Sequence, residues 1–96
     1  MICKKVLIRS YGSGVHFGTL KSIENNPSGK DVVLLESRRI HYWEGACSLS
    51  QVAIDGISSG RVAVVLPEIM ISQVIEIIPL SDAAIVNLEN QKIWKI

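Results

Sequence analysis

Apolar and polar positions alternate along the first half of the chain, and a period of two predicts strands. Val6-Leu7-Ile8-Arg9 reads as a short strand. Ser10-Tyr11-Gly12-Ser13-Gly14 follows as a turn, with two glycines free to take positive φ. From 15 to 23 the alternation is regular: Val15, Phe17, Thr19, Lys21 and Ile23 share one face, and His16, Gly18, Leu20 and Ser22 the other. Asn25-Asn26-Pro27-Ser28-Gly29 is a polar loop of the hairpin kind. Residues 31–36 form the next strand, whose centre Val32-Val33-Leu34-Leu35 suits burial on both faces, and 37–43 continue or bend it.

The period then changes. Ser48-Leu49-Ser50-Gln51 fits a capping box, in which Ser48 accepts from the Gln51 amide and the Gln51 side chain reaches back. Leu49, Val52 and Ala53 make a helical stripe that Gly56 stops, so a helix of about two turns is expected. Residues 57–60 read as a loop, and 61–66 and 69–78 as strands separated by Pro67, which cannot donate to a ladder. In the second of these, Ile69, Ile71, Ile75 and Ile77 share a face with Gln73, while Met70, Val74 and Ile78 oppose them. Ser81 is placed to cap a last short helix, with Asp82 favourable at its N-terminus and Ile85 and Leu88 inward. The tail 92–96 is expected to pack as an edge segment. The sum is a single α+β domain over residues 1–96: a small curved antiparallel β-sheet, or an SH3-like or OB-like partial barrel, with one or two short helices.

Composition sharpens this picture. Fourteen Ile and ten Val in 96 residues favour pleated structure. The apolar fraction of 48%, concentrated in 32–35 and 62–78, exceeds what so small a core absorbs and points to a homo-oligomer. Ten Lys and Arg against nine Asp and Glu exclude the strongly basic footprint of most autonomous nucleic-acid binders. The start, Met1-Ile2-Cys3-Lys4-Lys5, lacks the pattern of a secretory leader, and no stretch reaches the about 20 apolar residues of a membrane helix. Cys3 and Cys47 form no disulfide framework. A cytoplasmic protein with no membrane role is expected.

Chemistry concentrates in Ser37-Arg38-Arg39-Ile40-His41-Tyr42-Trp43-Glu44-Gly45. Arg and Trp dominate binding hot spots, and an aromatic beside a guanidinium stacks a ring while the Arg engages phosphate. Strict alternation puts Arg38, Ile40 and Tyr42 on one face and Arg39, His41 and Trp43 on the other. The competing structural reading makes Trp43 a core plug and pairs Arg38 or Arg39 with Glu36 or Glu44. Gly12-Ser13-Gly14-Val15-His16-Phe17-Gly18 has neither the glycine spacing nor the following helix of a phosphate loop. It reads as a hairpin turn, or as a ligand-lining loop with His16 near its tip. His16, His41, Cys3 and Cys47 match no zinc spacing, so no metal or cofactor is expected. Ser48 or Ser50 with His41 and Glu44 is a set any small protein offers, and catalysis is not expected. The expected ligand-binding residues are Arg38, Arg39, His41, Tyr42, Trp43 and His16.

Arg38-Arg39-Ile40-His41-Tyr42-Trp43-Glu44-Gly45-Ala46, then Ser48-Leu49-Ser50-Gln51-Val52-Ala53 and Gly56, resembles a family of small phage and prophage proteins described only as a domain of unknown function. The flanks Gly14-Val15-His16-Phe17-Gly18-Thr19-Leu20 and Val74-Ile75-Glu76-Ile77-Ile78-Pro79 agree, and the loop after Gly56 is short. The resemblance brings no catalytic residues with it. It implies a setting: a phage accessory protein that binds, either blocking a host defence protein or sequestering a small signalling nucleotide. The alternative is a small nucleic-acid-binding β-barrel, with Arg38, Arg39, Lys4, Lys5 and Lys30 on phosphates and Tyr42 or Trp43 stacking a base.

Overall fold

The computed structural model describes residues 2–95; Ile96 of the tail segment lies outside them. Five strands and two helices follow in the order β1 (Lys5–Ser10), β2 (Gly14–Asn26), β3 (Gly29–Glu44), α1 (Leu49–Asp55), β4 (Ser59–Val62), β5 (Leu66–Pro79) and α2 (Asp82–Glu89). Every pairing between strands is antiparallel. β1 pairs with β2 and β5, and β3 pairs with β2 and β5 in turn, so four strands close a ring; β4 joins the far half of β3. This is the small curved α+β architecture that the sequence pattern predicts.

Closing so small a ring requires sharp bends, and the chain makes them at identifiable residues. β3 turns at Glu36, which takes a φ of 50°. Up to and just past the bend β3 pairs with β5, from Lys30↔Val74 to Ser37↔Leu66; beyond that it pairs with β4, from Ile40↔Val62 to Glu44↔Ser59. β2 crosses this bend at Gly18, where a Cβ would lie 2.9 Å from the Leu35 carbonyl oxygen, so only glycine admits the approach.

A second bend corrects the expected alternation of β5. Gln73 takes a φ of 55° and shifts the phase, so Ile71 and Val74 are buried while Ile75 is exposed. Pro67 also differs from expectation: it is the second residue of β5, and the preceding strand β4 has already ended at Val62. Val64, Val65, Leu66 and Met70 are left exposed around this junction.

β1 is the wall between two cores. Val6 and Ile8 face the ring interior with Leu20, Val32, Leu34, Ile71 and Val74. Leu7 faces the other way, with Phe17, Ile40, Val62 and the helix residues Val52, Ala53 and Leu88. Each such aliphatic side chain contributes about 1.5–3 kcal/mol by leaving water. The helices start as expected: Ser48 accepts from the Gln51 amide at 3.2 Å and Ser81 from the Ala84 amide at 3.0 Å. The Gln51 carboxamide reaches back one residue further than the capping box predicts, accepting from the Cys47 amide at 3.0 Å. In α2 the buried pair is Ala84 and Leu88, with Ile85 only partly covered. The tail packs as an edge: Ile93 bridges Val62, and the Trp94 amide donates to the Val62 carbonyl at 2.9 Å.

Candidate functional site

The Arg-Arg-Ile-His-Tyr-Trp run lies on the second half of β3, just past the Glu36 bend. The bend and a register shift between Ile40 and Tyr42 set which residues point inward. Arg38 and Ile40 face the interior, His41 is the extra residue, and the inward position then falls to Trp43 instead of Tyr42. This corrects the strict alternation expected from sequence. Its cause is the β-bulge, which re-aims the side chains beyond it.

Arg38 is 3% exposed and, among the described residues, meets no carboxylate. Its Nε donates to the Ala63 carbonyl at 2.7 Å, Nη2 to Val62 at 3.2 Å, and Nη1 to Leu88 at 3.3 Å and Gln91 at 2.9 Å. The guanidinium thus ties β4 to the C-terminal end of α2, where a cation also suits the helix dipole. Burial pushes its pKa down from the usual arginine range. Trp43 is likewise structural: partly buried against the helix-side core, it donates Nε1–H to the Ala46 carbonyl at 3.2 Å. Neither residue lines the hollows described below, and the hydrogen bonds each makes among the described residues are to backbone carbonyls of the fold.

Arg39, His16 and His41 do come together. They line a pocket of about 160 Å³ with Ser37, Ala63, Val64, Leu66 and Ile69. His16 lies in the barrel wall, 1% exposed, and not at a loop tip. Its Nε2 is 3.0 Å from the Ser13 carbonyl oxygen, which only accepts, so Nε2 carries the proton and Nδ1 is an acceptor. Burial foremost, then the positive charge of Arg39, push the His16 pKa down to about 4, against the pull of the Ser13 carbonyl. The ring is therefore neutral at pH 7. Ser37 is 1% exposed, and among the described residues its Oγ has no hydrogen-bond partner. Arg39 is exposed at the rim and takes part in no ion pair among the described residues.

The outer face continues past His41. The His41 ring lies 5.1 Å from that of Trp94, tilted by 56°. The Arg61 guanidinium lies over both Tyr42, at 5.9 Å from the ring centroid, and Trp94, at 5.5 Å. The Tyr42 hydroxyl donates to Glu44 Oε1 at 2.7 Å, and that carboxylate holds the Tyr42 pKa above its ordinary value. Sequence reasoning missed Ser37, Arg61 and Trp94 as site residues. Ser37 was visible only as the first residue of the cluster, and Arg61 and Trp94 reach it through pairings that no local spacing reveals.

A family model described as a domain of unknown function, DUF6948, matches residues 3–88. The chain belongs to this family. The match spans the Arg-Arg cluster, the residues lining this pocket, all of α1 and α2 up to Leu88. No curated protein matches the chain. No solved structure matches it.

The pocket offers a mixed chemistry. One side is apolar, from Ala63, Val64, Leu66 and Ile69; the other is lined by His16, Ser37, His41 and the cationic Arg39. That combination suits a flat heterocycle with hydrogen-bonding edges and an anionic substituent. A second hollow, of about 310 Å³, is lined by Tyr11, Ser28, Gly29, Gln73, Val74 and Ile75 and holds no charged side chain. Among the described residues, no helix is long and apolar enough to cross a membrane.

Proposed function

We propose that the protein works by binding, and that its ligand is a nucleotide whose base enters the pocket while its phosphate meets Arg39. The observation that carries this reading is Arg39, an exposed guanidinium in no ion pair among the described residues, at the rim of a pocket lined by His16, His41 and apolar side chains. A guanidinium left without a carboxylate partner beside a concave surface is suited to fork onto the oxygens of a phosphate. A volume of about 160 Å³ is well below the roughly 300–1,000 Å³ of pockets that enclose whole drug-sized ligands. It suits one ring system, with sugar and phosphate left at the rim. The resemblance to small phage and prophage proteins supports sequestration of a signalling nucleotide, in the cytoplasm of a bacterial host, as the use of such a site.

Calorimetric titration with nucleoside monophosphates and cyclic nucleotides tests this. Saturable binding is expected, weakened about tenfold or more by Arg39→Ala, since one charge-assisted phosphate contact contributes roughly 1.5–3 kcal/mol. Binding by no nucleotide, or equal binding by the variant, would overturn it.

A further inference from the structure

We infer that Arg61 is a second phosphate site beside Arg39, so that the ligand is a phosphodiester-linked oligonucleotide of at least two residues. This rests on the reading of the pocket as a nucleotide site and extends it along the neighbouring surface. Arg39 lies opposite Ala63, whose amide donates to the Arg39 carbonyl at 2.8 Å. Ala63 lines the pocket with Arg39, and Arg61 precedes it by two residues, so the alternation of a strand brings Arg61 to the same face. Two residues along a strand and one strand across put the Arg39 and Arg61 backbones about 8 Å apart, with two long side chains to adjust the spacing of their guanidinium groups. Consecutive phosphates joined through one sugar bridge such a gap.

Arg61 is prepared for an anion. Its guanidinium lies over the Tyr42 and Trp94 rings, and no side-chain hydrogen bond among the described residues takes up its N–H groups, which can fork onto phosphate oxygens. No carboxylate pairs with it among the described residues. Trp94 is held in place through its amide bond to the Val62 carbonyl. It lines a further hollow of about 290 Å³ with Gly60, Lys92, Ile93 and Lys95, and it meets His41, which lines the first pocket. Pocket, Arg39, His41, Trp94, Arg61 and the two lysines thus form one track. Aromatic faces interleaved with cations are the arrangement that holds successive bases and phosphates.

The test compares a nucleoside monophosphate, a linear dinucleotide, a cyclic dinucleotide and a single-stranded oligonucleotide of ten residues on the full chain. Calorimetry and tryptophan fluorescence supply the readouts, and Trp94→Phe assigns the signal. The linear or the cyclic dinucleotide is expected to bind about tenfold or more tighter than the monophosphate. That ratio is expected to fall towards one in Arg61→Ala and in Arg61→Gln, each checked for an unchanged melting temperature. Quenching of Trp94 is expected with the dinucleotides and not with the monophosphate. Affinity that keeps rising to the ten-residue strand identifies an open strand, and a cyclic dinucleotide that matches or exceeds it identifies a cyclic signal. If the monophosphate binds and the dinucleotides bind no tighter, or the Arg61 variants keep the ratio, the second site is wrong and the pocket stands. If nothing binds, the pocket reading fails and this inference with it.

Discussion

Arg38 and Arg39 are adjacent on one strand and belong to two different molecules in effect: one the interior scaffold, the other the outward rim. Arg38 spends its donors on the carbonyls of Val62, Ala63, Leu88 and Gln91. Arg39 is exposed, pairs with no carboxylate among the described residues, and stands at a pocket with an unsatisfied hydroxyl. The same side chain, moved by one residue across a pleated strand, changes from a strut to a contact. What decides the role is which side of the sheet the Cα–Cβ bond leaves from, because that sets whether the donors find backbone or solvent.

The contrast is open to attack from the scaffold side first. Arg38→Met strips four backbone carbonyls of a buried charged donor and is expected to cost about 3–5 kcal/mol, read as a lower urea midpoint. Arg38→Lys recovers only part, since an ammonium cannot reproduce the planar fork. A rim-like response, with Arg38→Met close to wild type, would erase the distinction.

His16 lies between the two regions and gives the next largest effect. The unfolded chain takes up a proton at this ring near pH 6.5, the folded protein only near 4. Between those values acid therefore favours unfolding: the stability contribution is present above pH 6.5 and is lost as pH falls towards 4. Up to about 3 kcal/mol is expected to disappear across this window, and His16→Gln is expected to flatten the slope. Denaturant titrations at stepped pH check both. An unchanged slope in the variant would move the acid sensitivity elsewhere.

Ser37 and Arg39 give the smallest stability changes, and Arg39 the largest binding one. Ser37→Ala removes an unsatisfied buried hydroxyl, so the protein is expected to be unchanged or stabilised by up to about 1 kcal/mol in a urea titration. Arg39→Ala is expected within about 0.5 kcal/mol of wild type by thermal unfolding. A rim residue whose loss unfolds the protein would belong to the scaffold after all.

The amino-acid sequence made much of the fold legible. Val6 to Arg9, the alternation from 15 to 23, the Ser48 and Ser81 caps and the Gly56 stop each express a local rule, and each lies where that rule puts it. Errors cluster at bends. Glu36 and Gln73 adopt positive φ without being glycine, because ring closure demands it there, and no propensity marks them in advance. The phase of β5 beyond Gln73 and the facing of Tyr42 and Trp43 beyond the bulge were therefore misread. The site was half legible for a related reason. The Arg-aromatic run stands out as composition, but which Arg reaches solvent depends on the Glu36 bend. Arg61 and Trp94 are distant in sequence and meet only through β4 pairing with β3 and the tail bridging Val62.

The most direct test of the rim site is chemical-shift mapping of isotope-labelled protein titrated with a nucleoside monophosphate. Shifts confined to His16, Ser37, Arg39, His41, Ala63 and Val64, and abolished by Arg39→Ala, are the predicted result. No perturbation at those residues, or shifts centred on the hollow at Tyr11 and Gln73, would contradict it.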